Sequence, residues 1–142
     1  MSHTRERALT RKRGVTLVEV LIVVAIMAVV ASVATLYAIP EYKRARVRAA
    51  AMGAGAVRDA ATLHRDVDLG GDGASCPTVQ ELVAAKRLPA DRSDDPWGTR
   101  YNVTCEEEIH GVSSGRDRKL STPDDVRDDV KKPADIERIA EM

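Results

Sequence analysis

Over its 142 residues the chain carries 22 basic and 22 acidic side chains, one Trp, three Tyr and no Phe. That length allows one small domain beside whatever spans or links it. The scarcity of aromatic platforms argues against a nucleic-acid binder: the run that could supply a basic face, Lys43, Arg44, Arg46 and Arg48, has only Tyr42 beside it, and no nucleic acid is expected as a partner.

In chain order, Arg5, Arg7, Arg11, Lys12 and Arg13 are opposed by Glu6 alone, and Val20–Ile39 then holds twenty residues without a formal charge. At about 1.5 Å per residue such a helix reaches about 30 Å, the thickness of a bilayer's hydrocarbon core. The basic flank predicts a cytoplasmic N-terminus, with the rest of the chain outside. A cleaved secretory signal would have a shorter apolar core of about 7–15 residues and a cut site after it, whereas Gly14 precedes the run. Met1–Gly14 holds five basic residues and one acidic residue, so residues 15–142 carry 17 basic against 21 acidic side chains. The outer part is mildly acidic.

Glu19 is the one acid at the head of this segment. At the centre of a membrane helix a charge costs about 2.5–3.5 kcal/mol, so Glu19 either snorkels from the first turn, favoured by the helix dipole, or meets a positive partner.

The run Lys12-Arg13-Gly14-Val15-Thr16-Leu17-Val18-Glu19 resembles the cleavage and methylation motif of the type IV prepilin family, with Val15 where that family usually has Phe. The resemblance implies that a membrane-embedded prepilin peptidase cuts between Gly14 and Val15 and methylates the new amine of Val15. An inner-membrane assembly platform would then receive the subunit, so the chain is a substrate and building block, not an enzyme. Cleavage would leave the Val15 ammonium four residues before Glu19, one helical turn away. The amine could pair within its own subunit, or meet Glu19 of a neighbouring copy and so fix axial register.

Pro40 is expected to interrupt and kink the helix; Ile39-Pro40-Glu41-Tyr42 resembles the Ile-Pro-x-Tyr element of the pilin family, one turn later than usual. From Glu41 to about Asp68 the apolar positions Val47, Ala50, Ala54, Val57, Ala61 and Leu63 predict an amphipathic continuation. Gly53 and Gly55 would allow bending or close approach, and Gly70-Gly71-Asp72-Gly73 should end the helix. Thr78 with Glu81 predicts a capped helix running to about Arg87 and stopping before Pro89. Asp94-Asp95-Pro96-Trp97-Gly98 predicts a tight turn, Arg100–Cys105 a strand and Ile109–Ser113 its partner. Trp97 would anchor the sheet to the helix or stand exposed at a subunit contact.

The expected fold is α+β, type IV pilin-like: a long N-terminal helix packed on a small antiparallel sheet. On the oxidising side of the membrane Cys76 and Cys105 are expected to form a disulfide, closing a loop of about 30 residues and adding about 3–4 kcal/mol. A cysteine–histidine nucleophile or metal site with His64 and His110 is the alternative, but neither cysteine has a second ligand at the short spacing zinc requires. The histidines read as surface residues. No phosphate loop or nucleophile–base arrangement stands out.

A Cys76-Pro77-Thr78 helix start, the Asp95-Pro96-Trp97-Gly98 turn, a strand with Tyr101, and Val112-Ser113-Ser114-Gly115-Arg116-Asp117 with Asp124-Asp125-Val126 resemble the major pseudopilins of type II secretion systems. That resemblance implies calcium in the last loop, held by Asp117, by one or both of Asp124 and Asp125, and by Ser114 as a further oxygen donor. Arg116, Arg118 and Lys119 put positive charge among them, and a solvated acidic loop is the other reading.

The organisation expected is a leader over 1–14, a membrane helix and filament core over 15–39, its amphipathic continuation over 40–69, a periplasmic domain over 70–126, and a charged tail or short helix after Pro133 over 127–142. The resemblance implies a structural subunit of a periplasmic pseudopilus, anchored once in the bacterial inner membrane. Its partners would be further copies of itself, minor pseudopilins, prepilin peptidase and the assembly platform. A type IV pilus subunit for adhesion, motility or DNA uptake remains open, as does a membrane-tethered binding module that never polymerises and uses Asp117 and Asp124.

Overall fold

The computed structural model describes residues 14–71 and 75–142. The basic flank from Arg5 to Arg13 and the Asp72-Gly73 part of the expected helix break lie outside the described residues. The chain divides into two units, one ending at Tyr37 and the other running Ala38–Met142.

In the first unit the dominant element is the start of α1 (Leu17–Leu63), and every described side chain there is exposed. An 18-residue window of α1 reaches a mean hydropathy of 2.8, long and apolar enough to cross a membrane. Each uncovered Val, Ile or Leu is worth about 1.5–3 kcal/mol on leaving water, so this helix requires lipid or other helices around it. Its hydroxyls are compatible with that setting. Ser32 donates to the Ala28 carbonyl and Thr35 to the Ala31 carbonyl, both at 2.8 Å, so neither presents an unmet donor to hydrocarbon.

The expected interruption at Pro40 is absent, because α1 continues through it. Proline removes one N–H, while the turns on either side keep their own bonds. Past Pro40, in the second unit, α1 buries Val47, Ala50, Ala51, Ala54, Val57, Ala60 and Ala61. Leu63, expected on that face, is 47 % exposed; a single π-helical turn, His64–Asp68, comes directly after it. There Arg87 donates to both oxygens of Asp68 at 2.6 and 2.8 Å and His64 Nδ1 lies 2.6 Å from one of them. The Arg87 guanidinium and then His64 hold the Asp68 carboxyl down at about 2. Gly70 and Gly71 then take positive φ.

The buried face of α1 is made of small residues, and the sheet comes close because of it. Strands β1 (Asn102–Cys105), β2 (Ile109–Ser113) and β3 (Val126–Arg127) form an antiparallel sheet in that order. Asn102 faces Val112, Cys105 faces Ile109, and Ser113 faces Val126. A Cβ on Gly111 of β2 would stand 2.0 Å from the Ala54 carbonyl oxygen, and one on Gly53 would stand 2.1 Å from the Tyr101 hydroxyl. Close approach, not bending, is what Gly53 provides: the Tyr101 ring lies across it and its hydroxyl donates to the Ala50 carbonyl at 3.2 Å.

Two apolar clusters result. One joins Ala54, Val57 and Ala61 to Leu82, Leu88, Tyr101 and Ile109. The other joins Val47, Ala50 and Ala51 to Val126, Ile136 and Ile139. Helix α2 (Val79–Ala84) is closed by a capping box in which the Thr78 N–H donates to Glu81 at 2.7 Å and the Glu81 N–H to the Thr78 hydroxyl at 3.3 Å. It is shorter than expected, since Lys86 adopts φ 59° and turns the chain out of the helix before Arg87. Cys76 and Cys105 are joined, with their Cα atoms 5.8 Å apart, which ties the approach to α2 to the end of β1.

Of the two expectations for the C-terminal segment, the short helix after Pro133 holds and the free charged tail does not. After Pro133 at its first turn, α3 (Pro133–Glu141) packs Ile136 and Ile139 against the second cluster, and Arg44 bonds Glu137. Strand β3 crosses the boundary expected between residues 126 and 127.

Gly111→Ala would force the Ala54 carbonyl away and should lower stability by about 1–3 kcal/mol. Gly55→Ala, with nothing within 4 Å of the added carbon, should raise it by up to about 1 kcal/mol. Guanidinium unfolding of the full chain in neutral micelles, followed by Trp97 fluorescence, measures both.

Candidate functional site at the head of the apolar helix

Gly14, Val15 and Thr16 precede α1 and are exposed, so the Gly14–Val15 peptide is not tied into helical hydrogen bonds. Thr16 is the residue at the helix entry. Its N–H and its hydroxyl both lie 3.2 Å from one oxygen of Glu19, and the Glu19 N–H lies 3.2 Å from the Thr16 hydroxyl. This is a reciprocal capping box that satisfies first-turn N–H groups. Thr16 is the residue of this site that the prepilin motif alone does not single out, although the Thr-x-x-Glu spacing ahead of an apolar run signals its role.

The box gives the Glu19 carboxylate a place within its own chain. It accepts from the backbone N–H of the residue directly after Val15, so a charge created on the Val15 nitrogen would arise beside it. A carboxylate at this level of an apolar helix, with an ammonium one turn back, forms an ion pair whose strength grows as water is excluded. One partner removed, the other becomes an uncompensated charge.

The loop between β2 and β3 holds the residues expected to bind calcium. Asp124 is buried; burial pushes its carboxyl up, but hydrogen bonds from the Asp117 N–H, the Thr122 hydroxyl and the Arg116 N–H more than offset this and leave it below the ordinary range. Thr122 Oγ1 lies 2.7 Å from Asp124, 3.3 Å from Asp125, 3.4 Å from Asp117 and 3.0 Å from the Lys119 carbonyl. The remaining bonds close the loop on itself: the Lys119 N–H donates to Asp117 and the Ser121 N–H to Asp125, at 2.8 and 2.7 Å. Ser114 is 2 % exposed. The donors are hard oxygens of the kind calcium takes, yet among the described residues no group of three His, Cys, Asp or Glu side chains is placed to hold a metal ion. Ion binding would require the Thr122 hydroxyl to give way.

Asp95 organises the tight turn, accepting from the N–H groups of Trp97 and Thr99 at 3.0 and 2.8 Å and from the Ser113 hydroxyl at 2.6 Å. Trp97 is half-buried against the second cluster, with the Arg46 guanidinium 4.9 Å from its ring centre. His3 lies outside the described residues, and the other two histidines are not free surface groups. His64 pairs with Asp68, and His110 lies 2.9 Å from Asp128, a buried carboxylate that also takes Arg58 at 2.6 Å. With both cysteines in the disulfide, no thiol is left for a cysteine–histidine pair or a cysteine-bound metal.

Residues 9–35 match the family model of the prokaryotic N-terminal methylation motif. That match covers Gly14, Val15, Thr16, Glu19 and most of the apolar segment, and it supports a type IV pilin-like chain. The motif and the one helix among the described residues that is long and apolar enough to span together fit a protein that crosses the inner membrane once. No curated protein and no solved structure is similar enough to the chain to count as a match.

Proposed function

We propose that the chain is a structural subunit of a periplasmic pseudopilus of the type II secretion kind. The observation that carries this reading is the methylation motif over residues 9–35, with Glu19 capping an uncovered apolar helix. Prepilin peptidase would cut after Gly14 and methylate Val15. The assembly platform would then move the helix from lipid into a bundle of like helices, an exchange of one apolar surrounding for another. In the bundle the Val15 amine of one copy meets Glu19 of the next, and minor pseudopilins complete the filament. The resemblance of the turn at Asp95–Gly98 and of the 112–126 loop to major pseudopilins favours this machine over a type IV pilus, whose subunits share the N-terminal motif.

Glu19→Ala should leave membrane insertion and cleavage intact and abolish filaments, with exoproteins retained in the periplasm. Filament pelleting beside mass analysis of the membrane form reads this, and normal filaments would refute it.

Calcium belongs to the same proposal. Asp117, Asp124 and Asp125, with Ser114, would hold the ion; its support is that three carboxylates crowd one hydroxyl whose single proton serves only one of them. The bound ion would neutralise the carboxylates and lock the loop. Ligand present at a hundred times its Kd adds about 2.7 kcal/mol, so the thermal midpoint should rise by several degrees in millimolar calcium relative to chelator. An unchanged midpoint would end the calcium part and leave the filament reading standing.

A further inference from the structure

A hollow of about 230 Å³ opens beside the Asp95–Gly98 turn, and Tyr42, Lys43, Arg46, Trp97 and Arg116 line it over a floor that includes Val47 and Ile139. Its lining holds three cations and no carboxylate. Among the described residues no acid lies within ion-pair distance of Lys43, Arg46 or Arg116, whereas the adjacent Arg44 is taken by Glu41 and Glu137. Arg46 is held in place, its guanidinium 4.9 Å from the Trp97 ring and 5.8 Å from the Tyr42 ring, with one N–H on the Pro96 carbonyl at 2.6 Å. Its other N–H groups are left for a further acceptor. Fixed guanidinium forks and a lysine are the donors that recognise phosphate.

Position along the chain narrows the source of that phosphate. The uncharged stretch ends at Ile39, and Ile39 itself lines the hollow, with Tyr42 and Lys43 three and four residues on. Aromatic and basic residues directly beyond a membrane span occupy the headgroup layer. At about 230 Å³ the hollow is smaller than the roughly 300–1,000 Å³ of drug-sized sites, which suits a headgroup whose tails stay in the bilayer.

We propose that this hollow binds the phosphate of an anionic phospholipid headgroup, through Lys43, Arg46 and Arg116, with Tyr42 and Trp97 flanking it at the membrane surface. The site holds the outer domain to an anionic leaflet while the chain is stored in the membrane. It needs the chain to sit in a bilayer, not to polymerise, so it stands or falls apart from the filament reading.

Trp97 is the sole tryptophan and borders the site, so its emission reports occupancy in the full-length chain in neutral detergent micelles. Titration with short-chain phosphatidylglycerol should give a saturable change in emission, with none from the matching phosphatidylcholine and none from inorganic phosphate over the same range. Lys43→Ala with Arg116→Ala should weaken the response about 25-fold, about fivefold per charge removed. Arg48→Ala with Lys131→Ala, equal in charge but lining a different hollow, should leave it unchanged. Both altered residues of the first pair are exposed, so an unchanged circular dichroism spectrum is expected. Equal responses to the two lipids, saturation by inorganic phosphate, or full binding by the first double variant would each overturn the proposal. A response to a Glu106-Glu107-Glu108 hairpin peptide instead of lipid would do so too, by naming a second copy of the chain as the occupant.

Discussion

A lone carboxylate at the lip of a helix that belongs in hydrocarbon must always have a partner, and the entry of α1 is arranged around that need. Before any cut, Thr16 supplies it: one backbone N–H and one hydroxyl, both neutral, both within the same turn. Neutral donors suffice at the headgroup level, where water still reaches. In a bundle from which water is excluded, a neutral cap leaves a net charge in a poor dielectric, and a cation becomes the stronger partner. Under the proposed processing, the cap and the ion pair would be successive solutions to one electrostatic problem: a cut after Gly14 would free an amine next to Thr16 and convert the first into the second.

The second half of α1 solves a different problem. A small domain has little apolar area to bury, and here the helix contributes mainly alanines. Small residues compensate by allowing backbone-level contact: Gly111 lies against the Ala54 carbonyl, and Tyr101 lies over Gly53 while bonding Ala50. Burial, then the nearby Asp95 charge, pushes the Tyr101 hydroxyl up, keeping it a neutral donor. The disulfide and the buried Asp128, shared by Arg58 and His110, add cross-links at the end of β1 and between α1 and β2.

The sequence is legible where the physics is local. The Thr78–Glu81 box and the Asp95 turn come from side chains bonding to backbone within a few residues, and β2 pairs with β1 across a short connection. Apart from the Cys76–Cys105 disulfide, features that depend on distant partners are not legible. Strand β3 is two residues long and exists because Ser113 and Val112 offer it an edge. A short helix after Pro133 is legible as one alternative, but its packing is not: most of α3 is polar or small, and only Ile136 and Ile139, three apart, reveal a face. Leu63 falls out of the core because a π-turn begins right after it, and Lys86 ends α2 without a glycine to announce it. At the candidate site, Gly14, Val15 and Glu19 are legible from the motif, while Thr16, whose role is as local as that of Thr78, is legible from the same spacing rule. Arg46 against Trp97 joins residues 51 apart in sequence, and no pattern within either segment points to the other.

The assembly chemistry turns on whether a new amine is made at Val15. Mass analysis of the N-terminal peptide of the protein recovered from membranes tests this most directly. The predicted result is a chain that starts at Val15 and carries a methyl group on its nitrogen. A chain that still starts at Met1 in cells with an active prepilin peptidase would contradict it.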